Sequence, residues 1–144
     1  VTQELYQILF AAEWIVWAGA VGFALWRGDT IVRLVALLQL AATGGLAIAF
    51  KLGAPMALWA WVDAIGFLPL LLLALRQPRR WLVGAAAFQL ATVATHVART
   101  LDGRIESTAY ATALNTWWML ELAALVWGTG EVVRRRPTAV GATA

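Results

Sequence analysis

The sequence predicts an all-α integral membrane bundle of five spanning helices, with the N-terminus outside and the C-terminus in the cytoplasm. Two observations predict the bundle. The chain is 62% hydrophobic and only 13% charged, with a mean hydropathy of +0.74, whereas soluble domains are roughly half apolar and a quarter charged. Its apolar residues also fall into runs near the length of about 20 residues that crosses a bilayer. The orientation rests on a third observation, an uneven distribution of arginine between the two ends of those runs.

The first run, residues 5–26, ends at Arg27–Gly28–Asp29, a charged turn. The second, 31–50, ends at Lys51 and Gly53. The third, 55–75, begins at Pro55 and stops at the polar stretch Arg76–Gln77–Pro78–Arg79–Arg80. The fourth, 81–98, ends at Arg99, and the fifth, 109–131, ends at Glu131 before a triple arginine, Arg134–Arg136. The connections are short, so consecutive helices are antiparallel neighbours and no loop houses a soluble domain. Residues 1–136 form one transmembrane domain and 137–144 a flexible tail. No cationic segment precedes the first run, which argues against a cleaved signal peptide.

Positive charge divides unequally between alternate connections. One side holds Arg27, Arg33, Arg76, Arg79, Arg80, Arg134, Arg135 and Arg136, eight in all, and the other Lys51, Arg99 and Arg104, three. Arginine and lysine accumulate on the cytoplasmic side, which sets the orientation in a bacterial inner membrane. The same placement explains a pI near 10 without nucleic acid as a partner; the partners expected are the bilayer and other membrane subunits or copies of this chain. Among the tryptophans, Trp26, Trp81, Trp59 and Trp61 stand near run ends and are expected as interfacial anchors. Trp14, Trp17, Trp117 and Trp118 lie deeper and are expected to pack.

Four ionisable residues fall inside the runs: Glu13, Asp63, His96 and Glu121. Such groups are costly in hydrocarbon and face a bundle interior or a cavity. At ~1.5 Å per residue, Glu13 and Asp63 sit roughly 12 Å below the outer ends of their helices and Glu121 about 18 Å. Together with Gln89 they form a candidate polar intramembrane cluster. On the fourth helix Gln89, Thr92, His96 and Arg99 recur at helical spacing. Beside it a stripe of small residues, Gly84, Ala87, Ala91, Ala94 and Ala98, is expected to let another helix approach closely, making the fourth helix central. Pro69 is expected to kink the third helix.

Two readings of the cluster stand. In one, Asp63 accepts hydrogen bonds from Gln89 and an aromatic side chain or remains protonated, His96 pairs with a carboxylate or lies at the headgroup level, and the set fastens helices together. In the other, Glu13, Asp63 and His96, with or without Glu121, form a proton- or cation-responsive site. A metal site is a third use of the same residues, but their spacing is not diagnostic, and no cofactor is expected. The chain has no cysteine, which removes thiolate ligands and a cysteine nucleophile. Its one serine, Ser107, has no histidine at helical spacing, and no phosphate loop, zinc motif or dinucleotide fingerprint is present. An enzyme is the least supported class.

The position of Glu13 resembles that of the essential glutamate of small multidrug-resistance transporters, which have four helices and downstream motifs not found here. The stretch WAWVDAIGFLPLLLLALR, the RRW at a helix start, Gln89 seven residues before His96, AYATAL, WGTG and the terminal RRR are similar to a group of short proteobacterial polytopic membrane proteins. That resemblance covers roughly the last two-thirds of the chain. It implies the helical fold and marks Asp63 and His96, with no activity attached. The expectation is therefore a protein acting by lateral packing, as a homo-oligomer or accessory subunit. The alternative is a proton-coupled transporter or channel using Asp63, Glu13 and His96.

Overall fold

The computed structural model describes residues 3–53, 55 and 57–135; the side chains of residues 3, 5, 6, 9 and 10 lie outside that description, as do Arg136 and the tail 137–144. The chain is all-α, with α1 (Gln3–Arg27), α2 (Thr30–Lys51), α3 (Ala57–Arg76), α4 (Arg80–Leu101) and α5 (Ser107–Arg135) in order. Three of them, α2, α3 and α4, are long and apolar enough to cross a membrane, which fits a membrane protein. α3 continues as helix through Pro69.

Each chain neighbour packs against the next, α5 closes back on α1, and α2 also meets α5 across the ring. The turn between α1 and α2 is tight. A Cβ at Gly28 would run into the Ala24 carbonyl and the Val32 side chain, so the backbone there approaches too closely for a larger residue. Asp29 caps α2, its Oδ1 accepting from the Val32 amide at 3.0 Å. Its Oδ2 accepts from Arg79 at 2.5 Å, which ties this turn to the start of α4. Burial alone would raise the Asp29 carboxyl, but the Val32 amide, Arg79 and the Ile31 amide outweigh it and hold the group below its ordinary value.

The hydrophobic core gathers toward this arginine-rich end. Val21, Ala24, Val32, Val35, Ala36, Leu70, Ala74, Trp81, Leu82, Ala86 and Leu125 form one contiguous cluster. Trp81 is 0% exposed, so it is a core residue and not the interfacial anchor its place beside Arg80 suggested. The ring fits because α5 carries glycine opposite it: a Cβ at Gly128 would overlap the Trp81 indole. Trp26 and Trp61, in contrast, are largely exposed, and the Arg27 guanidinium lies 4.0 Å over the Trp26 ring.

Within this chain the small-residue stripe of α4 faces outward. Ala87, Ala94 and Ala98 are exposed and Gly84 and Ala91 only half-buried. The buried face of α4 is instead Trp81, Leu82, Ala85, Ala86, Gln89, Thr92 and His96. The reason is angular. Ala87 and Ala91 each lie two residues from Gln89, and at ~100° per residue two positions are about 200°, so the small stripe faces away from the polar one. Helix α4 meets only α3 and α5, while α2 and α5 each meet three neighbours, so α4 is not the central helix.

Candidate functional site

The hydrogen bonds of the candidate polar residues fall into three groups, one of which joins three helices. Asp63 on α3 faces α4 because the turn-spaced Asp63, Gly66 and Leu70 lie along one side of the helix, with Leu70 buried in the core. Across from it, Gln89 and His96 stand seven residues apart on the buried face of α4, two turns that span the Asp63 carboxylate from either side.

The Gln89 amide nitrogen donates to Asp63 Oδ1 at 3.1 Å and to the Asp63 carbonyl at 3.1 Å. His96 Nε2 meets Asp63 Oδ2 at 2.8 Å. The other ring nitrogen, Nδ1, meets the Tyr110 hydroxyl of α5 at 2.6 Å, the two rings edge to face with centroids 5.7 Å apart. Arg99 lies 5.9 Å from the Tyr110 ring centroid, at the end of the chain of contacts. His96 is 6% exposed and the Asp63 side chain 22%. Both carboxylate oxygens and both imidazole nitrogens are therefore engaged.

The contacts of this chain are compatible with three proton arrangements. With Asp63 ionised and the imidazole neutral, His96 Nε2–H donates to Oδ2 and Nδ1 accepts from the tyrosine hydroxyl. With one more proton, either the Asp63 O–H donates to Nε2 and Nδ1–H donates to the tyrosine oxygen, or both N–H groups of an imidazolium donate to Oδ2 and the tyrosine oxygen. The same contacts survive in each arrangement, so the clasp holds α3, α4 and α5 together in all of them. Contacts of this kind between membrane helices contribute about 1 kcal/mol each. Beside it, the Trp117 indole donates to Thr95 Oγ1 at 3.1 Å, and Thr95 in turn donates to the Ala91 carbonyl at 2.8 Å. α4 and α5 thus share two polar fastenings along one seam.

Glu13 belongs to a second group. Its Oε1 accepts from the Asn115 side-chain amide at 2.7 Å, joining α1 to α5. Glu121 belongs to a third: it is 3% exposed, and Gln39 of α2 hydrogen-bonds its carboxyl group. Glu131, at the arginine-rich end, lies 3.7 Å from Arg135. At the opposite end Asp102 accepts from the Arg104 side chain and amide, which hold its carboxyl below the ordinary value. Among the described residues, no three His, Asp or Glu side chains come together as a metal-binding set.

The sequence reading missed Asn115 and gave Tyr110 no role in the site. Counting ionisable residues alone hides them; a search for every polar side chain inside an apolar run would have found Asn115, Thr95 and Tyr110 together. A groove of about 230 Å³ runs between α3 and α4 past His96, but its other walls include Ala60, Trp61, Ala64, Val93 and Val97, so it is an apolar furrow. Glu13 has no part in it.

No protein-family model, curated protein or solved structure matches the chain.

Proposed function

We propose that this is a small integral membrane protein of five spans, N-terminus outside, that works by lateral packing as a homo-oligomer or as an accessory subunit of a membrane complex. The observation that carries this reading is the closure of the Asp63 clasp: both carboxylate oxygens are taken by α4, Oδ1 by Gln89 and Oδ2 by His96, whose other ring nitrogen meets Tyr110 of α5. A carboxylate so enclosed fastens helices and offers little to a passing solute.

The outer surface supports the same reading. Large apolar residues such as Leu37, Ile48, Ile65, Leu72, Leu90 and Val97 are exposed around the bundle, where lipid or a neighbouring subunit would cover them. α1 and α5, of 25 and 29 residues, are long enough to span alongside the other three, since about 20 suffice. The polar side chains that dilute α5, among them Tyr110, Asn115 and Glu121, are turned toward partners within the bundle. The eight-to-three division of basic residues supports a cytoplasmic C-terminus.

Native mass spectrometry of the chain extracted in mild detergent tests the proposal. The expected result is a defined oligomer or a stoichiometric complex with other membrane subunits. A strictly monomeric species that never co-purifies with a partner contradicts it.

A second reading has one specific observation in its favour. The unbroken chain Asp63–His96–Tyr110, whose contacts persist whether or not it carries an extra proton, is the connectivity a proton relay uses. In that reading Asp63 couples proton movement to a solute, and His96 passes protons toward Tyr110 and the outer end.

A further inference from the structure

The arginine-rich end of the bundle holds a cavity of about 240 Å³ between the α1–α2 turn, the start of α4 and the last turns of α5. Trp81 and Gly128 line its inner side, and its walls carry two guanidiniums, Arg79 and Arg135, and two carboxylates, Asp29 and Glu131. Trp81 is fully buried and Arg135 is 78% exposed, so the cavity runs from the core outward to the end of the bundle.

The four charges are not equally committed. Asp29 is taken up on both oxygens, one capping α2 and the other accepting from Arg79 Nη1. Arg79 makes no other side-chain hydrogen bond among the described residues, although a guanidinium carries five N–H donors in a fork that matches a phosphate. Arg79 is also the N-cap of α4, where no side chain accepts from the first-turn amides. Free amides and the positive end of the helix dipole favour an anion at such a place. Glu131 accepts no hydrogen bond from a side chain among the described residues; Arg135 lies 3.7 Å from it, beyond hydrogen-bond reach. The cavity thus offers donors to an anion on the α4 side and a carboxylate to a cation on the α5 side. With two positive and two negative side chains, its lining is neutral.

We propose that this cavity seats a phosphoethanolamine headgroup of a membrane phospholipid, its phosphate on Arg79 and its primary ammonium on Glu131, an assignment that rests on the membrane reading above. The neutral lining selects a zwitterion. A headgroup of net negative charge would bring no cation to Glu131, and a choline headgroup has the right charges but no N–H to donate. Arg27, Arg33, Arg76, Arg80 and Arg134 stand toward the same end and draw anionic lipid to the surface in general, but none of them lines the cavity. Its volume falls below the roughly 300 Å³ at which pockets for drug-sized ligands begin, which suits a headgroup and leaves the acyl chains in the bilayer.

Native mass spectrometry tests this on the full chain released from nanodiscs of equal parts phosphatidylethanolamine, phosphatidylglycerol and phosphatidylcholine. Wild type is expected to retain phosphatidylethanolamine roughly fivefold above either other lipid, the order of one net hydrogen bond. Glu131→Gln, which keeps the size and removes the charge, is expected to lose the preference over phosphatidylcholine. Retention of phosphatidylglycerol at or above phosphatidylethanolamine in wild type overturns the proposal, and this result needs no variant to fold. A preference unchanged in Glu131→Gln overturns it as well. Soluble phosphoethanolamine at the same concentration is expected to leave the bound lipid in place; displacement would make the ligand a soluble phosphoester and overturn the lipid assignment. A chain that does not float with vesicles of any of these lipids overturns the membrane reading and the headgroup site with it. A chain that floats and retains the three lipids alike overturns the headgroup site alone.

Discussion

Replacing Asp63 with leucine destabilises the bundle by about 2–4 kcal/mol, because it strands buried donors on two neighbours and leaves no acceptor for them. His96 Nε2 and the Gln89 amide both end at this carboxylate, and His96 is buried deeply enough that water does not replace the lost partner freely. Asparagine at the same position keeps an oxygen for Gln89 and an amide that can donate to the imidazole, so Asp63→Asn costs about 1 kcal/mol or less. Reversible unfolding in mixed micelles, followed by tryptophan fluorescence, separates the two. Equal midpoints for the leucine and asparagine variants would show that the clasp contributes nothing beyond side-chain volume.

A comparable loss is expected at the other end of the bundle. Trp81→Ala removes the largest fully buried side chain among the described residues and leaves a hole in front of Gly128 on α5, at a cost of about 3–5 kcal/mol. Gly128→Ala acts on the same contact from the opposite side: its Cβ would overlap the indole, and overpacking of this kind costs about 1–3 kcal/mol. The two substitutions are coupled. Once Trp81 is alanine the space in front of Gly128 is open, so Gly128→Ala becomes milder in the Trp81→Ala chain than in wild type. Residues in contact give such non-additive cycles. The same unfolding measurement on the two single variants and the double variant checks it, and simple additivity would count against the packing described.

The five helices were legible because apolar runs of spanning length are separated by arginine, glycine and proline, and these punctuate helices irrespective of tertiary contacts. The facing of Gln89 and His96 was legible too, since a seven-residue spacing returns a helix to nearly the same side. What failed was the step from one helix to its neighbours. The alanines of α4 were read as lying beside the polar stripe, although a two-residue offset turns them to the far side. Trp81 was read from Arg80 next to it, whereas its burial depends on Gly128, a residue on another helix. The separation of Glu13 from Asp63 has the same origin. Glu13 meets Asn115 because α1 and α5 run parallel and in contact, and the closing of α5 onto α1 is a property of the ring that no single helix encodes.

Under the proposed function the Asp63–His96–Tyr110 chain is a fastening, and it holds the same helices whether or not it carries an extra proton. Proton flux across vesicles containing the purified chain tests that claim most directly, with the wild type and Asp63→Asn compared across a pH gradient. No flux above that of empty vesicles is expected for either protein. A pH-dependent flux in wild type that Asp63→Asn abolishes while the bundle stays folded would contradict it, and would assign the same contacts to proton transport.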